Sequence, residues 1–286
     1  MNLTRIAYVN GDFVPLEEAR ISILDRGFLF ADGIYEVSAV IDGKLIDNGL
    51  HMARLKRSVA EIALELPVTI ERVEEIQREL IRRNALTEGV VYLQVTRGAA
   101  DRDFAFPRDA TPTLILFTQA KNLTGSPFGL NGLAVKTVPD LRWARRDIKS
   151  VALLAQVLAK QAAAAAGCQE AWMIEDGLVT EGGSSTAHIV TRDGAIVSRG
   201  HSHATLPGCT HLALRQLAAE ENIRIEERPF SLEEAHEAAE AFLTSAGSFV
   251  TPVVSIDGRP VGTGKPGPLT VRLRELYIAH ARATAT

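Results

Sequence analysis

Apolar and polar positions along this chain repeat at two periods, and the switches between them mark its elements. Residues Ala7 to Val14 alternate around Asn10-Gly11, which predicts a hairpin with a two-residue turn. Ile34 to Ile46 predicts a second hairpin, turning at Asp42-Gly43. Between them, Ser22 to Gly33 carries glycines and paired Asp and Arg residues, the composition of a shaped loop rather than a linker. The period then lengthens. Residues 51–65 place Leu55, Val59 and Ile62 at helical spacing, continued by Leu66; residues 70–83 place Ile70, Val73, Ile76 and Leu80 on one stripe with charges opposite. Pro67 separates the two helices. Val90–Thr96 and Thr113–Thr118 are rich in β-branched and aromatic residues and predict strands. The first half is thus an α+β unit.

Turn formers cluster without periodicity from Asn122 to Gly129. The expected organisation is a small N-terminal domain over 1–121, a linker over 122–130 and a larger C-terminal domain over 131–286. In the latter, a strand at 133–138 leads through a charged segment to an Ala-rich helix, Val151 to Ala166, closed by Gly167. Hairpins follow at Asp176-Gly177 and Asp193-Gly194. Then come a helix over Thr210–Glu221, a strand over Ile223–Pro229 and a short helix over Ser231–Ala238. Strands over Ala241–Thr244 and Val250–Ile256 and a helix from about residue 268 complete the chain.

Composition narrows the classes. The chain has 286 residues, 46% of them hydrophobic, enough for a sizeable core. A net charge of −4 with no basic stripe argues against a nucleic-acid partner. Two cysteines, Cys168 and Cys209, make neither a disulfide framework nor a metal quartet and fit a reducing compartment. The segment MNLTRIAYVNGDFVP lacks the apolar stretch of a secretion signal, and no apolar run reaches membrane-spanning length. These features set the expectation of a cytoplasmic enzyme or binding protein without a membrane partner. The seven histidines suggest no metal site: His201 and His203 are close in sequence but have no evident ligand set.

One lysine stands apart. Lys149 ends the charged run Asp140-Leu141-Arg142-Trp143-Ala144-Arg145-Arg146-Asp147-Ile148-Lys149 and directly precedes the Ala-rich run. Partial desolvation beside other cations frees an amine to attack a carbonyl, as a Schiff-base lysine must. Taken alone, the segment reads more readily as a solvated surface charge, as most lysines are.

The surrounding motifs decide between these readings. DRGFLFADGIYEV, HMARL, VYLQVTRGAADRDFAFP, RWARRDIKS, VTEGGSST, LPGCTH and FLTSAGSFVTPV occur in this order across nearly the whole chain. In this the chain resembles the class IV pyridoxal-phosphate-dependent aminotransferases, and within them most closely the D-amino-acid transaminases. The resemblance implies a mixed α/β, α+β fold: a small N-terminal α/β domain and a larger C-terminal domain with a barrel-like sheet. It implies pyridoxal 5′-phosphate as cofactor and a homodimer with its site at the subunit interface. Lys149 falls on the family's cofactor-linked lysine and proton shuttle, and Glu181 on the partner of the cofactor's ring nitrogen. Arg54 falls on the phosphate arginine. Leu206 falls against the ring, and Cys209 and Thr210 offer backbone N–H groups to the phosphate at a helix start. The family often has a hydroxyl where Ala246 stands; here the hydroxyls are on Ser245 and Ser248, and the choice between them stays open.

On the substrate side, Tyr35 and Arg102 match a carboxylate trap, and Phe104 replaces the histidine the D-amino-acid group carries there. A donor is lost and apolar surface gained, which favours bulkier substrates or amines lacking a carboxylate. The implied reaction is ping-pong transfer of an amino group from a D-amino acid to a 2-oxo acid such as 2-oxoglutarate or pyruvate. The alternatives are a branched-chain L-amino-acid transaminase, an (R)-selective amine transaminase, an aminodeoxychorismate lyase, or a non-catalytic binding module on the same scaffold.

Overall fold

The computed structural model describes residues 5–286; Met1–Thr4, the start of the segment expected to lack a secretion signal, lie outside the described residues. The chain divides into two compact units. Among the described residues, the first comprises 5–122 with Ile148–Ala152 and Thr284–Thr286; the second comprises Leu123–Asp147 and Leu153–Ala283.

The first unit is built in the order β1 (Ile6–Val9), β2 (Asp12–Pro15), α1 (Arg26–Phe30), β3 (Gly33–Ile41), β4 (Lys44–Leu45), α2 (Asn48–Glu61), α3 (Ile70–Arg83), β5 (Gly89–Thr96) and β6 (Thr113–Ala120). Its sheet runs β2-β1-β6-β5-β3-β4 with every pair antiparallel. At the first hairpin Asn10 and Gly11 both take positive φ, the conformation that an Asn-Gly turn supplies at low cost. One sheet face buries Ile34, Val40, Val91, Leu93 and Val95 against Met52, Leu55 and Val59 of α2 and Val73, Ile76 and Leu80 of α3. Helix α3 spans the residues expected from its stripe. Thr69 caps it by accepting from the Arg72 N–H at 3.3 Å. Helix α2 begins and ends earlier than its periodicity suggests. It starts at Asn48, whose side chain joins Ser38 and Gln77 in a closed buried hydrogen-bond ring. It stops because Ala63 turns left-handed at φ 48° and the Leu64 N–H returns to the Val59 carbonyl.

Residues 148–152 extend this sheet. Ser150 bridges Ile34, the Tyr35 N–H donates to the Lys149 carbonyl at 2.9 Å, and the Val151 N–H donates to the Gly33 carbonyl at 3.1 Å. This pairing explains why the Ala-rich helix begins at Leu154 and not at Val151: the Val151 N–H is spent on the Gly33 carbonyl, and the chain bends before the first helical turn.

The second unit holds α4 (Pro127–Asn131), β7 (Leu133–Pro139), α5 (Leu154–Ala165), β8 (Glu170–Glu175), β9 (Leu178–Gly182), β10 (Thr186–Val190), β11 (Ile196–Ser198), α6 (Cys209–Glu220), β12 (Ile225–Glu227), α7 (Leu232–Glu237), β13 (Glu240–Ser245), β14 (Phe249–Ile256), β15 (Arg259–Pro260) and α8 (Pro268–Thr284). The segment expected to be turns alone contains α4, started by Pro127, whose missing N–H costs nothing in a first helical turn. The sheet order is β12-β11-β10-β13-β14-β7-β8-β9, with β15 beside β14. Parallel pairs β14–β7, β7–β8 and β11–β12 sit among antiparallel ones. Edge strand β9 runs through a tight turn into interior strand β10, where the Gly182 N–H meets the Ser185 carbonyl at 2.7 Å, so the sheet curls into a half-barrel. Its interior packs Trp172, Val179, Ile189, Val197, Phe230 and Leu243. The strand expected over Ile223–Pro229 shortens to three residues. None of the described helices is long and apolar enough to cross a membrane.

Candidate active site

In the first unit, β3 presents successive residues to opposite faces. Tyr35 carries the ring over which the Lys149 ammonium lies, with Nζ 4.3 Å from the centroid. That ring stacks on Tyr92, which stacks on Phe117, so the aromatic ladder fixes its orientation. Burial pushes the Tyr92 hydroxyl to a raised pKa, with the neighbouring Tyr35 adding to the effect. On the other face, Glu36 is 1% exposed and takes the Arg54 guanidinium in a fork: Nε donates to Oε1 and Nη2 to Oε2, both at 2.8 Å. His51, one helical turn before Arg54, places Nδ1 2.8 Å from the same carboxylate. Burial alone would raise the Glu36 pKa, but the charge and hydrogen bonds of Arg54, then those of His51, hold it well below the usual range. Arg54 is therefore held rigidly by an acid that the sequence reading did not assign.

Arg102 and Phe104 lie on an exposed loop. Arg102 sits over the rings of Phe30 and Phe104 at 5.2 and 5.5 Å, and Phe104 is 78% exposed. The loop is nonetheless pinned. Arg26 donates to the carbonyls of Asp103 and Phe104 at 2.5 and 3.3 Å while its Nε holds Asp32, and Arg97 stacks on Phe106 at 3.6 Å. The Asp103 carboxylate accepts from the Ala105 N–H at 3.2 Å and is spent on its own turn.

In the second unit, Glu181 is buried near the end of β9. It accepts from Arg142 Nη1 and from the Leu206 N–H, whose distances to the two oxygens are 3.2 and 3.3 Å. Arg142 is itself gripped by Asp140, through Nε at 2.9 Å and Nη2 at 2.6 Å, and Thr180 donates to Asp140 at 2.6 Å. Burial opposes charge on Asp140, but Arg142 and Thr180 outweigh it and lower its pKa. Arg146 ties the same group to Glu175 with bonds of 2.8 and 2.5 Å. The charged run before Lys149 is thus an ion network, in which Arg142 links Asp140 to Glu181. The turn after Glu181 is fixed by Glu170, which accepts from Ser184 and Ser185 and pairs with Lys160.

Leu206, Cys209 and Thr210 enter α6. Gly208 is its N-cap and provides no side-chain bond, so the N–H groups of the first turn have no carbonyl or side-chain cap within the helix. A Cβ on Gly208 would lie 2.7 Å from Thr186 Oγ1, so a larger residue would push that hydroxyl aside where the helix start meets β10. In the turn between β13 and β14, Ser245 Oγ and Ser248 Oγ bond each other at 2.8 Å, beside half-buried Ala246. Arg274 of α8 braces that turn by donating to the Ser248 and Val250 carbonyls at 3.0 and 2.8 Å. The structure also gathers histidines that the sequence reading kept apart: His201, His211 and Glu227 come together, where no ligand set was expected.

These donors fit pyridoxal 5′-phosphate. The uncapped α6 start, closed against β10 at Gly208, is a cradle for an anion. The buried carboxylate of Glu181 has Arg142 as charge compensation and, as an acceptor with several lone pairs, can take a further N–H donor.

Comparison with known proteins agrees with this chemistry. The family model for class IV amino-transferases matches residues 33–256. The D-alanine aminotransferase of Staphylococcus aureus (strain MSSA476) is 38% identical over 271 residues, covering 94% of this chain and 95% of that protein. The fold superposes on the branched-chain amino acid aminotransferase of Escherichia coli with a TM-score of 0.90 at 23% identity, covering 97% of this chain and 95% of that one. The branched-chain amino acid aminotransferase of T.th., solved as a complex with N-(5′-phosphopyridoxyl)-L-glutamate, matches with a TM-score of 0.87 at 26% identity, covering 98% and 95%. The chain belongs to the class IV aminotransferase family.

Proposed function

We propose that this protein is a pyridoxal-phosphate-dependent D-amino-acid transaminase, moving an amino group from a D-amino acid to a 2-oxo acid. The observation that carries this reading is the 38% identity, over 94% of the chain, to a D-alanine aminotransferase. When bound, the cofactor supplies the electron sink for the pair released from the substrate Cα–H bond. Lys149 provides the primary amine that links the cofactor and, once released, carries the proton from the substrate. Tyr35 fixes that amine over its ring. Glu181 accepts the hydrogen bond of the ring nitrogen, and Leu206 packs against the ring. Arg54, positioned by Glu36, holds phosphate together with the Cys209 and Thr210 N–H groups. Ser245, Ser248 or the Ala246 backbone completes that grip.

Tyr35 and Arg102 select the carboxylate, and Phe104 gives the pocket an apolar wall. The two free cysteines fit a reducing, cytoplasmic setting. The apolar face of α5, with Leu154, Val157 and Leu158 all more than half exposed, supports a homodimer whose site is completed by the partner.

A substrate panel tests the reading. D-alanine, L-leucine and an (R)-arylamine are each supplied with 2-oxoglutarate. D-alanine is expected to give the highest kcat/KM. Preferential turnover of L-leucine or of the arylamine replaces the D-amino-acid reading with the corresponding transaminase, and turnover of aminodeoxychorismate alone replaces it with a lyase.

A further inference from the structure

A second constellation in the half-barrel unit takes no part in this chemistry. His211 is the third residue of α6, Glu227 ends β12, and His201 follows β11 in the loop leading to α6. The parallel pairing of Ser198 with Glu227 puts the carboxylate beside the strand end from which that loop departs. One ligand atom of each of the three residues lies within 4.8 Å of the other two. His211 Nε2 is 3.8 Å from Glu227 Oε1, and the rings of His201 and His211 meet edge to face at 5.6 Å.

His211 is the anomaly. It is 2% exposed, yet neither ring nitrogen has a hydrogen-bond partner. Buried polar side-chain atoms are nearly always satisfied, so the orphaned Nε2, which faces Glu227, calls for a ligand. Behind it, His188 is stacked on Phe242 and bonded to Thr244 Oγ1 at 3.0 Å, so it cannot turn its Nε2 to serve His211 without losing that bond.

We propose that His201, His211 and Glu227 form a binding site for a divalent transition-metal cation of the zinc class, with water completing the coordination. Two imidazoles and one carboxylate are a donor set zinc accepts, and tetrahedral coordination separates ligand atoms by roughly 3.4 Å. The His211–Glu227 spacing is within a few tenths of an ångström of that value. His201 and Glu227 are exposed at the mouth, so rotation of their side chains closes the remainder. The charges facing the site are those of Glu227 and of Arg215, whose Nη1 lies 2.9 Å from Glu227 Oε1 and competes with a cation for that oxygen. A bound ion would tie α6, β12 and the loop after β11 together at the helix start that carries Cys209 and Thr210.

The test uses full-length holoenzyme, treated with chelator and then titrated with Zn²⁺ against a chromogenic competitor, with thermal unfolding followed with and without the ion. Wild type is expected to bind one equivalent per chain and to unfold at higher temperature when loaded. His201→Ala and Glu227→Gln change exposed residues and leave the fold intact; each should weaken binding by at least about tenfold and abolish the thermal shift. Arg215→Ala removes the competing cation and should bind as tightly as wild type or more so. Absence of binding by wild type, or undiminished binding by both ligand variants, overturns the proposal.

Discussion

Two buried carboxylates, one in each unit, each hold an arginine, and they do so differently. Glu36 is surrounded by side chains: the Arg54 fork occupies both of its oxygens and His51 adds a third contact. Glu181 accepts from Arg142 Nη1, while Asp140 holds Arg142 from its other side, and it also accepts from the Leu206 backbone N–H. The first arrangement is a brace, in which the acid exists to aim the arginine. In the second the arginine is anchored elsewhere, by Asp140, and compensates the charge of the acid. On the proposed reading, the first pair aims an arginine at the phosphate and the second keeps a carboxylate charged for the ring nitrogen.

This contrast is open to direct attack. Glu36→Gln leaves Arg54 buried against a neutral amide and should destabilise the fold by about 3–5 kcal/mol, read by denaturant unfolding. Glu181→Gln leaves Arg142 held by Asp140. It should cost only about 1 kcal/mol of stability while lowering kcat about 100-fold. If the two variants exchange these effects, the contrast fails.

The brace also has a pH signature. The folded pKa of Glu36 is depressed below its ordinary 4.5, so the unfolded chain binds the proton first as pH falls. Its stabilisation is complete above that ordinary value and is lost as pH drops toward the folded pKa. Unfolding free energy measured downward from pH 5 should therefore fall less steeply in Glu36→Gln than in wild type.

Smaller effects belong to the substrate loop. Arg102→Ala should raise the KM for D-alanine about tenfold with kcat nearly unchanged, as loss of uniform binding requires. Phe104→His restores a donor and should lower that KM about fivefold, the worth of one added hydrogen bond; a rise in KM would mean that the apolar wall, and not the missing donor, governs selection.

Much of this was legible in the sequence because it depends on local pattern. The stripe of Ile70, Val73, Ile76 and Leu80 marks α3, and Asn10-Gly11 and Asp42-Gly43 mark their hairpins. Lys149, Glu181 and the α6 start sit in motifs dense enough to read in order. What escaped depends on residues far apart in the chain. Glu36 meets Arg54 only because β3 packs under α2. Arg142 gains its role from Asp140 and Glu181, the latter a strand pair away. Val151 to Leu153 have helix-like composition, yet the hydrogen bond from Val151 to Gly33 overrides it. His211 reads as one more helix residue until β12 brings Glu227 beside it.

The central claim is that Lys149 carries the cofactor. Holoenzyme reduced with borohydride, digested and mapped by mass spectrometry should show the phosphopyridoxyl label on the peptide containing Lys149 and nowhere else, and a Lys149→Ala variant should acquire none. A label on a different lysine, or none on wild type incubated with pyridoxal phosphate, would contradict it.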